Sequence, residues 1–271
     1  MTNVNTPAAP VFAFDAAIVR LPSKTVTGGL RAGDGGDPDY AGVRAEHDAY
    51  VTALGEAGVM VTTLGALEAY PDAVFVEDPA LVYPEGAILL RPGAKPRAGE
   101  VSEIAGVLRD HFTTVLALPE GGYVEGGDIL TTPKKVMIGL SSRTDVAGAS
   151  ALQKLLAEFG RASETVETPA DVLHFKTDCS LLDEETVLST ARLARSGVFD
   201  GFDVVLTPEG EEAAANALRV NDVVMVGADF PRTIELLDKR GYTVVALKTT
   251  QIGKIDAGLS CMSLRWRRAS R

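Results

Sequence analysis

Short apolar runs alternate along this chain with segments of helical period. Residues 11–21 read as a first strand. Residues 41–57 place apolar side chains on a helical period with Gly58 just beyond them, which predicts a helix. A short strand follows at 59–64. From there one unit recurs: an apolar strand, a turn and a second strand. It is read at 74–83 with 87–90, at 123–130 with 136–138, at 172–182 with 187–190 and at 213–220 with 223–226. Residues 257–264 form a fifth first strand. Helical patterns at 99–110, 145–159 and 230–240 fill several of the gaps.

Each first strand carries one residue with chemistry: Glu77, Glu125, His174, Asn216 and Cys261. They are separated by 48, 49, 42 and 45 positions. Regular spacing of this length indicates repeated supersecondary units. Five units, each a hairpin plus a helix, predict an α/β propeller of five blades with pseudo-fivefold symmetry. The last blade would borrow its remaining strand from the N-terminus. Equivalent ends of the five first strands would then meet at the axis. A doubly wound sheet is the alternative fold.

Composition narrows the function. The chain has 271 residues, 46% of them hydrophobic, enough for a sizeable core. It reads as a single catalytic domain over 1–271. No run of eighteen apolar residues predicts a membrane span. The N-terminus lacks the basic and apolar segments of a signal peptide. Two cysteines do not make a disulfide framework, so a cytoplasmic protein with reduced thiols is expected. The net charge of -11 argues against nucleic acid, whose phosphates need basic stripes, and favours a cationic ligand. The stretch 27–39 is rich in Gly and Asp and has no periodicity. It lacks the spacing of a helix-loop-helix calcium site and reads as a mobile lid.

The chemistry concentrates at the repeat markers. Cys261 lies among Gly258, Ser260 and Ser263, so a substrate could approach its sulfur from one side. A thiol becomes a nucleophile as the thiolate, which a nearby cation favours. His174, inside an apolar run, is the matching acid/base. Cys179, five positions on, would face the other way on a strand and reads as core. Glu77, Asp78, Glu125 and Asp128 place carboxylates in apolar surroundings, which is costly unless a cation pairs with them. A planar guanidinium suits that role, whether from substrate or from the protein's own arginines. Arg91 and Arg143 follow the second strands of two units and could bind a carboxylate. A carboxylate at one end and a guanidinium at the other describe an arginine-like amino acid.

As a set, Gly28-Gly-Leu30, Pro71-Asp-Ala-Val-Phe-Val-Glu-Asp-Pro79, Ile88-Leu-Leu-Arg-Pro-Gly-Ala94, Val124-Glu-Gly-Gly-Asp128, Ile138-Gly-Leu-Ser-Ser-Arg-Thr144, Leu173-His-Phe-Lys-Thr177 and Lys254-Ile-Asp-Ala-Gly-Leu-Ser-Cys261 resemble the dimethylarginine dimethylaminohydrolase family. That family belongs to the guanidino-modifying pentein superfamily. The resemblance implies hydrolysis of asymmetric dimethylarginine and monomethylarginine to citrulline and dimethylamine or methylamine. Cys261 would attack the guanidinium carbon to form a thiouronium. His174 would protonate the departing amine and then activate water, with Glu125 orienting it. Asp78, supported by Glu77, would take the guanidinium nitrogens. Arg91 and Arg143 would hold the α-carboxylate. Asp72 and the carbonyls of Leu30 and Ile255 would take the α-amino group. No cofactor or metal is implied, and a homodimer is compatible with the resemblance. An arginine deiminase or dihydrolase acting on unmethylated arginine is the alternative, and a non-catalytic arginine-binding protein is a third reading.

Overall fold

The computed structural model describes residues 9–31, 33 and 35–268. Five three-stranded sheets are strung along the chain. The first blade holds β1 (Ala16–Arg20), α1 (Tyr40–Glu56) and β2 (Met60–Leu64). The second holds β3 (Ala80–Tyr83), β4 (Gly86–Leu89), α2 (Glu100–His111) and β5 (Val115–Ala117). The third holds β6 (Ile129–Thr131), β7 (Val136–Leu140), α3 (Val146–Glu158) and β8 (Ser163–Glu167). The fourth holds β9 (Cys179–Leu181), β10 (Thr186–Ser189), α4 (Ala191–Ala194) and β11 (Asp203–Leu206). The fifth holds β12 (Leu218–Val220), β13 (Val223–Gly227), α5 (Pro231–Lys239) and β14 (Thr243–Leu247). The chain then returns to the first blade as β15 (Leu264–Trp266), antiparallel to β1 with Ala17 opposite Arg265.

Every blade repeats one topology: an antiparallel pair, then a helical crossover to a parallel outer strand. A parallel pair requires such a crossover, which is why each helix lies between the second and third strands. The helix boundaries follow their sequences. Asp39 and Asp145 cap α1 and α3 by accepting from the N–H groups of Gly42 and Gly148, both at 2.7 Å. Pro231 opens α5, where its missing N–H costs nothing. Helix α2 buries Ile104, Ala105 and Leu108 on one face, and α3 buries Ala149, Leu152 and Leu156.

Among the described residues the core is divided. Five apolar clusters each fill the wedge between consecutive blades. Ile18, Leu89, Leu108 and Trp266 join the first two blades; Ile88, Ile138 and Leu152 join the next two. Met137, Phe175 and Val187 join the third to the fourth, and Leu188, Val224 and Leu237 the fourth to the fifth. Val19, Tyr50, Met225 and Ile252 close the circle between the fifth blade and the first. The expected five-bladed architecture is present, with its N-terminal closure.

The inner strands are shorter than the apolar runs suggested. Within or just before each run the chain makes a tight turn, in which an N–H bonds the carbonyl three residues back. The pairs are Phe75 to Asp72, Asp128 to Glu125, Thr177 to His174, Asn216 to Ala213 and Cys261 to Gly258. A short, wholly buried run has no exposed face to reveal its period, so turn and strand look alike in sequence. Helix α4 was missed for the same kind of reason: four residues are too few to show a period.

Candidate active site

The five turns meet at one end of the axis, and all of the marker residues lie in or beside them. Backbone bonds stitch neighbours together across the ring. Glu77 N–H donates to the Cys261 carbonyl at 3.2 Å, and Gly126 N–H donates to the Asp78 carbonyl at 3.2 Å. This approach is open only to glycine at the meeting points. A Cβ on Gly126 would lie 1.9 Å from the Glu77 carbonyl oxygen, and one on Gly127 would lie 2.6 Å from His174 Nδ1. The Gly-Gly pair thus lets the third blade's backbone come close to the second blade and to the His174 ring.

His174 Nε2 lies 2.7 Å from Glu125 Oε2. Glu125 is fully buried, and its other oxygen accepts from Ala94 N–H at 2.9 Å and from Arg143 Nη1 at 3.3 Å. Burial pulls the imidazole pKa down, but Asp78, the Glu125 hydrogen bond and Asp128 outweigh it, and the pKa rises to about 9. At neutral pH His174 is an imidazolium enclosed by carboxylates.

Asp78 is buried in an ion cluster. One oxygen accepts from Gly127 N–H at 2.9 Å and the other from Arg97. Burial would raise its pKa, yet the Arg97 charge and His174 reverse that and hold it below the usual carboxylate range. Arg97 is itself buried. It reaches Glu100 through Nε at 3.0 Å and Nη2 at 2.7 Å, and the carbonyl of Phe75 at 2.8 Å. Asp78, Glu125 and His174 bring one ligand atom each to within 4.8 Å of one another, a spacing a cation could use. Each is already committed to Arg97, Arg143 or another of the three, so the arrangement suits holding a proton and a cationic organic group.

Glu77 turns to the far side of the turn. Its oxygens meet Lys176 Nζ at 2.5 Å, Arg265 Nη2 at 3.3 Å and Ser260 Oγ at 3.1 Å. These residues form a floor between the site and an axial cavity of about 720 Å³ lined by the inner strands. Cys261 sits half-buried on the rim of this floor, beside Asn216, whose Oδ1 accepts from Ser260 N–H at 3.2 Å. Burial, then Glu77 and Asp78, push the thiol pKa up to about 11. The free site therefore holds a neutral thiol next to carboxylates, one of which also faces the imidazolium.

At the opposite edge Asp72 Oδ1 accepts from Leu30 N–H at 2.9 Å. A Cβ on Gly29 would touch Asp72 Oδ1 at 3.0 Å and Ile255 Cγ2 at 3.5 Å, so Leu30, Asp72 and Ile255 come together. The Ile255 turn is pinned from α1, because buried Glu46 accepts from the N–H groups of Gln251 and Ile252. In the expected lid, Thr27 and Gly28 belong to a short 3-10 turn and Asp39 caps α1. Between them Arg31 pairs with Asp37, and Lys254 Nζ reaches the Asp37 carbonyl at 3.2 Å; Ala32 and Asp34 lie outside the described residues.

The structure brings Glu125, Asp78, His174, Cys261 and Arg143 into one cluster. It does not bring Arg91. That guanidinium donates to the carbonyls of Pro119 at 2.7 Å and Gly122 at 3.1 Å, tying down the loop between β5 and β6. Arg97, six residues on, occupies the buried position beside Asp78. In sequence both arginines follow the same strand, and only the turn after Pro92 decides which one points inward. Asp128, one of the four carboxylates in apolar surroundings, lies fully buried behind this cluster, with Thr144 Oγ1 donating to it at 2.6 Å. Cys179 is buried, with its thiol on the Phe175 carbonyl at 3.3 Å.

The dimethylarginine dimethylaminohydrolase of Pseudomonas aeruginosa is 37% identical over 254 residues, which is 93% of this chain and the whole of that protein. The chain belongs to the dimethylarginine dimethylaminohydrolase family. The Streptomyces coelicolor family member is 29% identical over 255 residues, covering 93% of this chain and 96% of its own. A family model described as arginine deiminase matches residues 66–211. The P. aeruginosa enzyme, solved as a Cys-to-Ser mutant with citrulline, superposes with a TM-score of 0.91 at 36% identity, over 94% of this chain and all of that one. The five blades are thus those of the pentein propeller. The chain is a guanidino-modifying hydrolase of the kind found in this family. None of its described helices is long and apolar enough to cross a membrane.

Proposed function

We propose that this protein hydrolyses N-ω-methylated arginines to citrulline and an amine. The observation that carries this reading is the ring of buried carboxylates facing a neutral thiol and an imidazolium. Among the described residues, burial and the neighbouring carboxylates keep Cys261 protonated until a cation arrives. A guanidinium bound to Asp78 would offset the negative field that raises the thiol pKa. The thiol would then release its proton to solvent, and the thiolate would form only beneath its electrophile. Attack at the guanidinium carbon gives a tetrahedral adduct. His174, already protonated, gives its proton to the departing amine. The neutral imidazole left behind then takes a proton from the water that attacks the thiouronium, and citrulline leaves with the thiol restored. Glu125 fixes the imidazole throughout. Leu30, Asp72 and Ile255 form the α-amino end, and Arg143 with Arg97 supplies the positive charge for the carboxylate end.

The test is citrulline formation measured in parallel on asymmetric dimethylarginine, monomethylarginine and arginine. Faster turnover, by kcat/KM, of the methylated substrates is expected. Equal or faster turnover of arginine would replace this reading with the unmethylated alternative, which the match to an arginine deiminase model favours.

A further inference from the structure

Asp128 is wholly buried and has no arginine or lysine partner among the described residues. Its oxygens accept instead from Thr144 Oγ1 at 2.6 Å, Ser141 Oγ at 2.7 Å and Phe175 N–H at 2.8 Å. Isolated charges in a protein interior are costly, so such a group is retained where something compensates for it. Here each of its partners leads to the site. Phe175 N–H belongs to the peptide that follows His174. Ser141 and Thr144 bracket Arg143, and Thr144 Oγ1 also accepts from Glu125 N–H at 3.1 Å. Ser141 Oγ in addition accepts from Arg143 N–H at 2.9 Å. One carboxylate therefore ties the imidazole, its orienting glutamate and the arginine loop into a single body.

We propose that Asp128 is a positioning residue of this site, fixing His174 and the Arg143 loop to one another and setting a negative charge near the imidazole. The inference rests on the hydrolase reading for its kinetic consequence only. The charged groups around His174 are Asp78 from the second blade, Glu125 and Asp128 from the third, and Arg143 acting through Glu125; Lys176, on the histidine's own turn, is paired with Glu77. Loss of Asp128 leaves Asp78 and Glu125 in place. The proton affinity of His174 should then fall partway towards that of an ordinary histidine.

The test is Asp128→Asn, an isosteric change. The amide oxygen can still accept from Phe175 N–H, and the Ser141 and Thr144 hydroxyls can rotate to accept from the amide nitrogen. The chain has three histidines, so the His174 imidazole can be followed by NMR as pH is varied. Its midpoint should fall by about 1–3 units, as expected when an adjacent opposite charge is removed. In kinetics, kcat should drop about tenfold or more at pH 8.5 and stay near the wild-type value at pH 6, with KM little changed. Ser141→Ala keeps the charge and removes one hydrogen bond, so the titration should stay at or above its wild-type midpoint. An unmoved His174 midpoint in folded Asp128→Asn, or a lowered one in Ser141→Ala, would overturn the proposal. Because the NMR reading needs no turnover, a shifted midpoint in a protein that makes no citrulline would reject the hydrolase reading and leave Asp128 in its role.

Discussion

Replacing Arg97 and Arg91 separately tests the assignment of the carboxylate cluster more sharply than any single variant. Arg97→Ala removes the only cation among the described residues that touches both Asp78 and Glu100, each about 3% exposed. Breaking a buried ion pair by deleting one partner costs about 3–5 kcal/mol, because the other charge stays buried. At about 2–4 °C per kcal/mol, Tm should fall on the order of 10 °C. Binding should suffer as well. Without Arg97 the Asp78 carboxyl loses the charge that holds its pKa down, and a hydrogen bond to a charged group is worth about 1.5–3 kcal/mol. That is a drop of about 10- to 150-fold in kcat/KM at a tenfold per 1.4 kcal/mol. Arg97→Lys keeps a charge but cannot grip Glu100 through two nitrogens, so it should lie between. Arg91→Ala loses two bonds to loop carbonyls, about 1 kcal/mol each, and should leave kcat/KM within about twofold. The assay pairs urea melts with steady-state kinetics on asymmetric dimethylarginine, with rates scaled to the folded fraction. Loss of kcat/KM in Arg91→Ala to the level of Arg97→Ala would refute the reasoning.

Three further outcomes are expected. Cys261, with its thiol pKa near 11, should react slowly at pH 7.5 with a neutral alkylating reagent and far faster with a cationic amidine electrophile, while Cys179 stays unmodified by mass spectrometry; equal reactivity toward both reagents would contradict substrate-assisted thiolate formation. Gly127→Ala should push the His174 ring aside and lower kcat about 100-fold with a modest change in Tm, and a wild-type kcat would show that the ring position is not critical. His47 is buried in α1 with Asp48 3.9 Å from Nδ1 and no hydrogen bond of normal geometry to either ring nitrogen among the described residues, and burial lowers its pKa to about 4 from 6.5. Its neutral form stabilises the fold above pH 6.5, and that contribution of about 3 kcal/mol is lost as pH falls through 4. His47→Leu should therefore lose less stability than the wild type between pH 7 and 4, measured by urea melts at each pH.

Residue types and their spacing carried most of the fold and part of the site. The interval of 42–49 positions between marker residues was readable because each blade is one hairpin, one crossover and one outer strand of similar length. The clustering of Glu125, His174 and Cys261 followed from that symmetry alone. Pairing was less readable. Arg91 and Arg97 differ in sequence only by their distance from β4, and the direction of each is settled by the Pro92-Gly93 turn and by which carboxylates lie under it. Asp128 was visible as a buried charge, yet its partners Ser141, Thr144 and Phe175 come from two further segments. No local pattern announces such a network, because its side chains and the Phe175 N–H meet only after two blades have packed.

The same geometry explains why the chemistry sits on turns and not on strands. A strand residue in a closed ring has its backbone used in the ladder and its side chain committed to a wedge between blades. The turn before each inner strand is free of both demands. It turns one side chain towards the axis and leaves N–H groups, such as those of Gly127 and Phe175, for the neighbouring blade's carboxylates. Turns from all five blades thus bring their polar side chains together, with the second and third blades contributing most of the carboxylates. Asn216, in the fourth turn, supports the turn that carries Cys261 through Ser260 N–H and packs so tightly on Gly258 that a Cβ there would lie 2.3 Å from its side chain. A methyl group at position 258 must displace Asn216 or Cys261. Gly258→Ala should lower the rate of Cys261 alkylation and of turnover by a similar factor, leaving the pH midpoint of His174 where it was. A shifted His174 midpoint in that variant would mean that the turns act on one another through the ring, and not each through its own neighbour.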